Sequence, residues 1–307
     1  MAKIAEDGHV YGFVPDANVF RTRGSKEDVL RVRKIGITNA STFNGFCAIH
    51  DNEIFRVLEQ GDFNCSGEHA FLLGYRALCR ILFAKKVVLD RENLYRNMDR
   101  GQPFFSQVPI QRFVDDFFYG KKLAHDELSQ IKKGYDEILK AKDYSKVKYY
   151  AVMFDCHPDI LCSEGFWPEF DFNGQQVQDA LNPKADYPDL LLFSIITTEK
   201  GGAAVFTWLE KGGACEKFLS SLHALPDSKL PEAIVRLVFE YFENMYFKIS
   251  WWENLSMDIR KKLHNRMAQN VMIHNADCLI DDGLRTVNWR VNSRKTNFST
   301  KREVYAR

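Results

Sequence analysis

Leu190-Leu191-Leu192-Phe193-Ser194-Ile195-Ile196-Thr197-Thr198 and Ala203-Ala204-Val205-Phe206-Thr207-Trp208-Leu209 enclose the tetrapeptide Glu199-Lys200-Gly201-Gly202. Two runs rich in aliphatic, β-branched and aromatic residues on either side of a glycine-paired polar turn read as a β-hairpin, with the glycines supplying the positive φ of the turn. Val147-Lys148-Tyr149-Tyr150-Ala151-Val152-Met153-Phe154 has the same texture, and a further strand signal falls at Trp167 to Phe172. Together these segments predict an antiparallel meander.

Outward from the hairpin the period changes to that of helices. Ile234, Leu237, Val238, Tyr241, Phe242 and Met245 recur at helical spacing behind Pro231, which is tolerated in a first turn. Shorter helices are expected at Ala214 to His223 and Met257 to Ala268. On the N-terminal side, Phe71, Tyr75, Leu78 and Leu82 mark a helix over 67–86. Leu123, Leu128, Ile131, Tyr135 and Ile138 mark an amphipathic one, with residues 111–119 also helical. The first 60 residues read as loops and short strands, among them His9 to Val14. The pattern predicts an α+β fold with an irregular N-terminal unit (1–60) and a helical layer (61–145). An α+β region (146–282) follows, with an antiparallel sheet flanked by C-terminal helices, and then a basic tail (283–307).

The 307 residues are 45% hydrophobic and 13% aromatic, enough for a substantial core, and the net charge of +1 gives no global field that would draw nucleic acid or an anionic membrane. Seven scattered cysteines lack the spacing of a disulfide scaffold, and no apolar run approaches the roughly 18 residues of a membrane span. A reducing cytoplasm and no membrane partner are the expectation.

The densest reactive chemistry lies at Cys47-Ala48-Ile49-His50-Asp51, where a thiol and an imidazole three positions apart can grip one metal ion and the adjacent carboxylate can orient a ligand or take a proton. These are two of the four ligands zinc needs, and Cys65, His69 and His9 are the candidate completions. A packed Cys with a hydrogen-bonded His accounts for the same residues without a metal.

Ile4-Ala5-Glu6-Asp7-Gly8-His9-Val10, then Ala40-Ser41-Thr42-Phe43, then Gly45-Phe46-Cys47 with His50-Asp51 and Ile54-Phe55, resemble the front of a group of uncharacterised bacterial proteins. Their layout is similar to that of HNH (ββα-metal) endonucleases. The resemblance covers residues 1–60 and implies that Cys47 and His50 form the second zinc knuckle, with Asp51 where the family has Asn and Glu59 as a following acidic residue. It also implies a first knuckle and a Ser-His pair upstream, which would precede Met1. The activity implied is metal-dependent cleavage or binding of nucleic acid, in defence against foreign DNA or RNA, with His9 the candidate base and structural Zn²⁺ the candidate cofactor.

Three other features invite a functional reading. Cys156-His157-Pro158-Asp159 suggests an activated thiolate, although adjacent residues on extended chain point to opposite faces, so a buried Cys and a turn proline suit it better. Asp189, Glu199 and Lys200 are reminiscent of PD-(D/E)xK nucleases, but Glu199 and Lys200 are adjacent in a turn. The segment from Gly283 carries seven basic residues against Glu303, a net +6 that leaves about −5 for the rest. With Trp289 among Arg285, Arg290, Arg294 and Lys295, it could stack and neutralise single-stranded nucleic acid. The contrasting expectation is a non-catalytic binding or adaptor protein that docks a macromolecule, such as another protein, through aromatic surface and this tail. The Trp251-Trp252 pair is expected to lock a helix onto the sheet.

Overall fold

The computed structural model describes residues 1–15, 30–40, 42–61, 63–180, 188–209, 211, 213–269 and 274–299. The locally basic stretch Arg21-Thr22-Arg23-Gly24-Ser25-Lys26 and the tail cations Lys301, Arg302 and Arg307 lie outside them. The hairpin forms as read: β5 (Leu191–Thr197) and β6 (Gly202–Leu209) pair antiparallel from Leu192 opposite Thr207 to Thr197 opposite Gly202. Its glycines serve a different purpose from the one expected, because neither Gly201 nor Gly202 has a positive φ. A Cβ on Gly201 would overlap the Phe154 carbonyl, and one on Gly202 the Pro158 ring. The turn lies flat against the next connection, where His157 Nδ1 bonds the Gly201 carbonyl at 2.8 Å. Close approach, not turn dihedrals, requires glycine here.

Six more strands extend the sheet: β1 (His9–Pro15), β2 (Leu30–Gly36), β3 (Val147–Phe154), β4 (Ile160–Phe166), β7 (Met245–Phe247) and β8 (Val291–Thr296). The order is β2-β1-β7-β4-β5-β6-β3-β8, with every neighbouring pair antiparallel. The strand expected at Trp167–Phe172 is absent. The chain leaves β4 at Phe166, and Asp171 then closes a turn by accepting from the backbone N–H groups of Asn173 and Gln175. A strand cannot continue through Pro168 in mid-sheet and an Asx turn.

Helices cover both faces of the central strands. Leu191, Phe193 and Ile195 on β5, with Ala204, Phe206 and Trp208 on β6, share one core with α5 (Ala214–Ala224) and α6 (Leu230–Tyr241). The alternate residues turn the other way: Leu192 packs with Phe71, Tyr75 and Leu78 of α2 (Gly67–Leu89), and Ala203 and Val205 with Ala70 and Leu73. Gly74 brings α2 so near that a Cβ would overlap Thr207 Oγ1. Burial on both faces is why β5 and β6 read as nearly unbroken apolar runs.

On the N-terminal side, α1 (Ala48–Gln60) packs Phe55 against α2, α3 (Glu92–Arg96) is short, and α4 (Phe104–Ala141) is a single 38-residue helix joining the two helical segments expected separately. Its C-terminal half buries Leu128, Tyr135 and Ile138 against α2. On the opposite side of the sheet lie α7 (Ile249–Asn254) and α8 (Met257–Gln269). The indoles of Trp251 and Trp252 are buried on Phe239 and Phe247, which fastens α7 to the sheet.

Candidate functional site

Cys47 and His50 do converge, with Sγ 3.2 Å from Nδ1, and both are exposed. Helix geometry accounts for the pairing. Cys47 is the N-cap residue of α1 and His50 its third helical position, two places that a first turn always brings together. No third Cys, His, Asp or Glu among the described residues joins them within ligand range, so these residues by themselves form no four-donor zinc knuckle. Asp51 lies in the same first turn, its N–H bonded to the Cys47 carbonyl. His9 begins β1 with Nδ1 bonded to the Asp7 carbonyl at 2.6 Å, and Glu59 is ion-paired with Arg76 at 2.5 Å.

The five residues expected to meet nucleic acid mostly serve the scaffold. Trp289 is buried: it packs on Phe154 at 5.2 Å between ring centres and its Nε1 donates to Asp159 Oδ2 at 2.9 Å, so it offers no face to a base. The segment around it is pinned rather than free, because Glu232 on α6 accepts from the Thr286 and Val287 amides and the Thr286 hydroxyl. Arg294, on edge strand β8, donates to the carbonyls of His223 and Leu225 at the end of α5 and pairs with Asp227. Lys295 reaches the Asn64 carbonyl at 3.2 Å. Arg285 pairs with Asp281 and Arg290 with Asp155, both with exposed guanidinium groups. Local charge composition did not reveal that this stretch completes the sheet.

A different group has the chemistry of a metal centre. Glu240, at the end of α6, lies with His274 and Cys278 so that their ligand atoms fall within 4.8 Å of one another, and Glu240 and Cys278 are buried. His274 Nδ1 is 3.2 Å from Glu240 Oε1, and the His274 ring stacks on Tyr241 with centres 4.1 Å apart. Arg266 of α8 holds Glu240 Oε2 at 3.0 Å, bonds the Cys278 carbonyl, and reaches Asp282 at 2.9 Å. The Tyr241 hydroxyl, buried beside the Cys278 thiol, makes no well-formed hydrogen bond among the described residues. Burial, reinforced by the Glu240 charge, pushes the Cys278 thiol up to about 12. This Glu-His-Cys group could bind a metal ion: a divalent cation would hold the thiol as thiolate, with Arg266 as the outer partner that orients the carboxylate. The signal for it was the spacing His274-x-x-x-Cys278, and Glu240 is too distant in sequence to be paired with it by eye.

A cleft of about 820 Å³ opens beside α2 over β4 and β5, floored by Ser163, Ser194 and Asn244. The two serine hydroxyls are 3.2 Å apart, Asn244 donates to the Ser163 carbonyl, and its buried Oδ1 has no partner among the described residues. These groups can bind a polar ligand, and Glu59, Arg76 and Glu199 also line the cleft. The first half of α4 forms an arm with α3. Phe104, Phe105, Phe113 and Tyr119 are 71%, 89%, 62% and 68% exposed there. No helix among the described residues is long and apolar enough to cross a membrane. A scan of family models and searches of curated proteins and solved structures return no match to this chain.

Proposed function

We propose that this chain is a non-catalytic binding protein, an adaptor that docks a macromolecular partner through the α3–α4 arm. The exposed aromatic row on that arm carries the reading. Contiguous apolar surface of this size disfavours a protein left alone in water, and aromatic anchors are what protein interfaces are built from. Elsewhere on the chain, large aromatic residues such as Phe193, Phe206 and Trp208 are taken fully into the core.

The nuclease reading draws less support from the geometry, since no further donor among the described residues joins the Cys47–His50 pair, and Trp289 and Arg294 are bonded into the scaffold. The Glu240, His274 and Cys278 group supplies three donors, and its thiolate and imidazole favour Zn²⁺ over oxygen-seeking cations, with a fourth coordination position left to another ligand. The ion would clasp α6 to the 274–282 connection.

Two measurements test the proposal. Phe104→Glu with Phe113→Glu should abolish co-purification of a partner while circular dichroism and the urea midpoint stay unchanged; retention of the same partner by the double variant would refute docking at the arm. The purified full chain should hold about one equivalent of zinc, falling below about a tenth in Cys278→Ser. Equal zinc content in the two proteins would remove the metal assignment.

A further inference from the structure

One line of side chains on α4 is palindromic in its chemistry. Phe105, Pro109, Arg112, Asp116, Tyr119 and Leu123 follow one another at intervals of four, three, four, three and four, the spacing of a coiled-coil seam, and all six are exposed. The packed residues Val114, Phe118 and Leu128 lie on the other side of the helix. Reversing the order about position 114 exchanges Phe105 with Leu123, Pro109 with Tyr119, and Arg112 with Asp116. Apolar positions map onto apolar ones, and the cation maps onto the anion.

That is the requirement for an isologous two-fold contact, in which residue i of one copy meets residue j of the other and j meets i. We propose that the α4 arm pairs with the same arm of a second copy as an antiparallel helix pair. This rests on the reading of the arm as a docking surface and names its partner. Arg112 and Asp116 are available for the exchange, since neither has an ion pair among the described residues, whereas neighbouring Asp115 is held at 2.8 Å by Arg96. Gly120 meets nothing within 4 Å of where a Cβ would stand, so Val108 of the opposing arm can seat there.

The area is sufficient. Phe104, Phe105, Val108, Tyr119 and Leu123 are 50% to 89% exposed, which presents on the order of 600 Å² of side chain. With Pro109, Arg112 and Asp116 added, the seam approaches the roughly 800 Å² per partner of a stable interface. From Phe105 to Leu123 it runs about 27 Å, about five turns of helix.

Light scattering on the full chain, between about 1 and 100 µM, tests the proposal. The mass should be twice 35.6 kDa at the upper end, and Phe105→Glu with Leu123→Glu should return it to 35.6 kDa. Arg112→Asp alone sets carboxylates against one another across the seam, and Asp116→Arg alone sets guanidinium groups together. Each should weaken the dimer at least about tenfold, and the double variant Arg112→Asp, Asp116→Arg should restore it, a rescue that only this register supplies. A monomer throughout the range, or a dimer indifferent to both single substitutions, overturns the proposal. A monomer whose heterologous partner is still lost on Phe104→Glu with Phe113→Glu would leave the adaptor reading standing and this one refuted.

Discussion

Replacing Trp289 separates a structural role from a nucleic-acid role. The indole is 5% exposed, so Trp289→Ala removes about 200 Å² of buried apolar surface, worth up to about 5 kcal/mol at about 25 cal/mol per Å². The substitution also strips Asp159 of its 2.9 Å donor, while collapse of the surroundings recovers part of the loss. A net cost of about 4 kcal/mol follows. With a urea slope of about 3 kcal/mol per molar, the midpoint should fall by more than about 1 M. Trp289→Phe keeps an aromatic ring on Phe154 but loses the hydrogen bond and part of the buried ring, so it should cost about 2 kcal/mol, roughly half as much as Trp289→Ala. Equilibrium urea unfolding followed by far-ultraviolet circular dichroism makes the comparison. If Trp289→Ala stays within about 0.5 kcal/mol of the parent, as a surface residue would, the placement of this segment against β3 is wrong.

Other consequences are as direct. Asp281 is held down to about 2 by the Lys229 ammonium, then by the Gly283 amide and Arg236, so its contribution to stability is complete above about pH 4 and lost as pH falls toward 2. Lys229→Ala removes the largest of these causes, and the parent should then lose more of its urea midpoint between pH 4 and pH 2.5 than the variant does. Arg294→Ala should destabilise the fold by about 2 to 3 kcal/mol because it orphans the α5 carbonyls and Asp227, a cost readable in the same urea experiment. Among the thiols, iodoacetamide at neutral pH should label exposed Cys47 first, whereas Cys162 and Cys215, buried and with their pKa raised well above the ordinary value by that burial, should react only on unfolding. Mass spectrometry of native digests reports the order.

The central hairpin and the helices around it were legible in the sequence because burial on both faces leaves a continuous apolar signal at residues 191–197 and 203–208. Helix α4 was legible only in part. Pro109 and the mixed residues before it hide the fact that the helix starts at Phe104, and an exposed aromatic row carries the same letters as a buried one. Trp289 is hard to read for a related reason: neighbouring arginines suggest a charged surface, but Asp155 and Asp227, the partners of Arg290 and Arg294, are distant in sequence. The Cys47–His50 pair looked like a ligand pair because a helix cap and a zinc knuckle share a three-residue spacing, and only the surroundings distinguish them. The Glu240, His274 and Cys278 group is hard to see in the sequence because Glu240 lies on α6, far along the chain from the His274-x-x-x-Cys278 pair it meets in space.

Site-specific photo-crosslinking from position 113 of α4, in cells that express the full chain, tests most directly whether the arm is a docking surface. The account predicts a discrete adduct with another polypeptide from position 113, lost when Phe104→Glu is added, and none from position 217 on exposed α5 surface. Equal labelling from the two positions, or none from position 113, would contradict it.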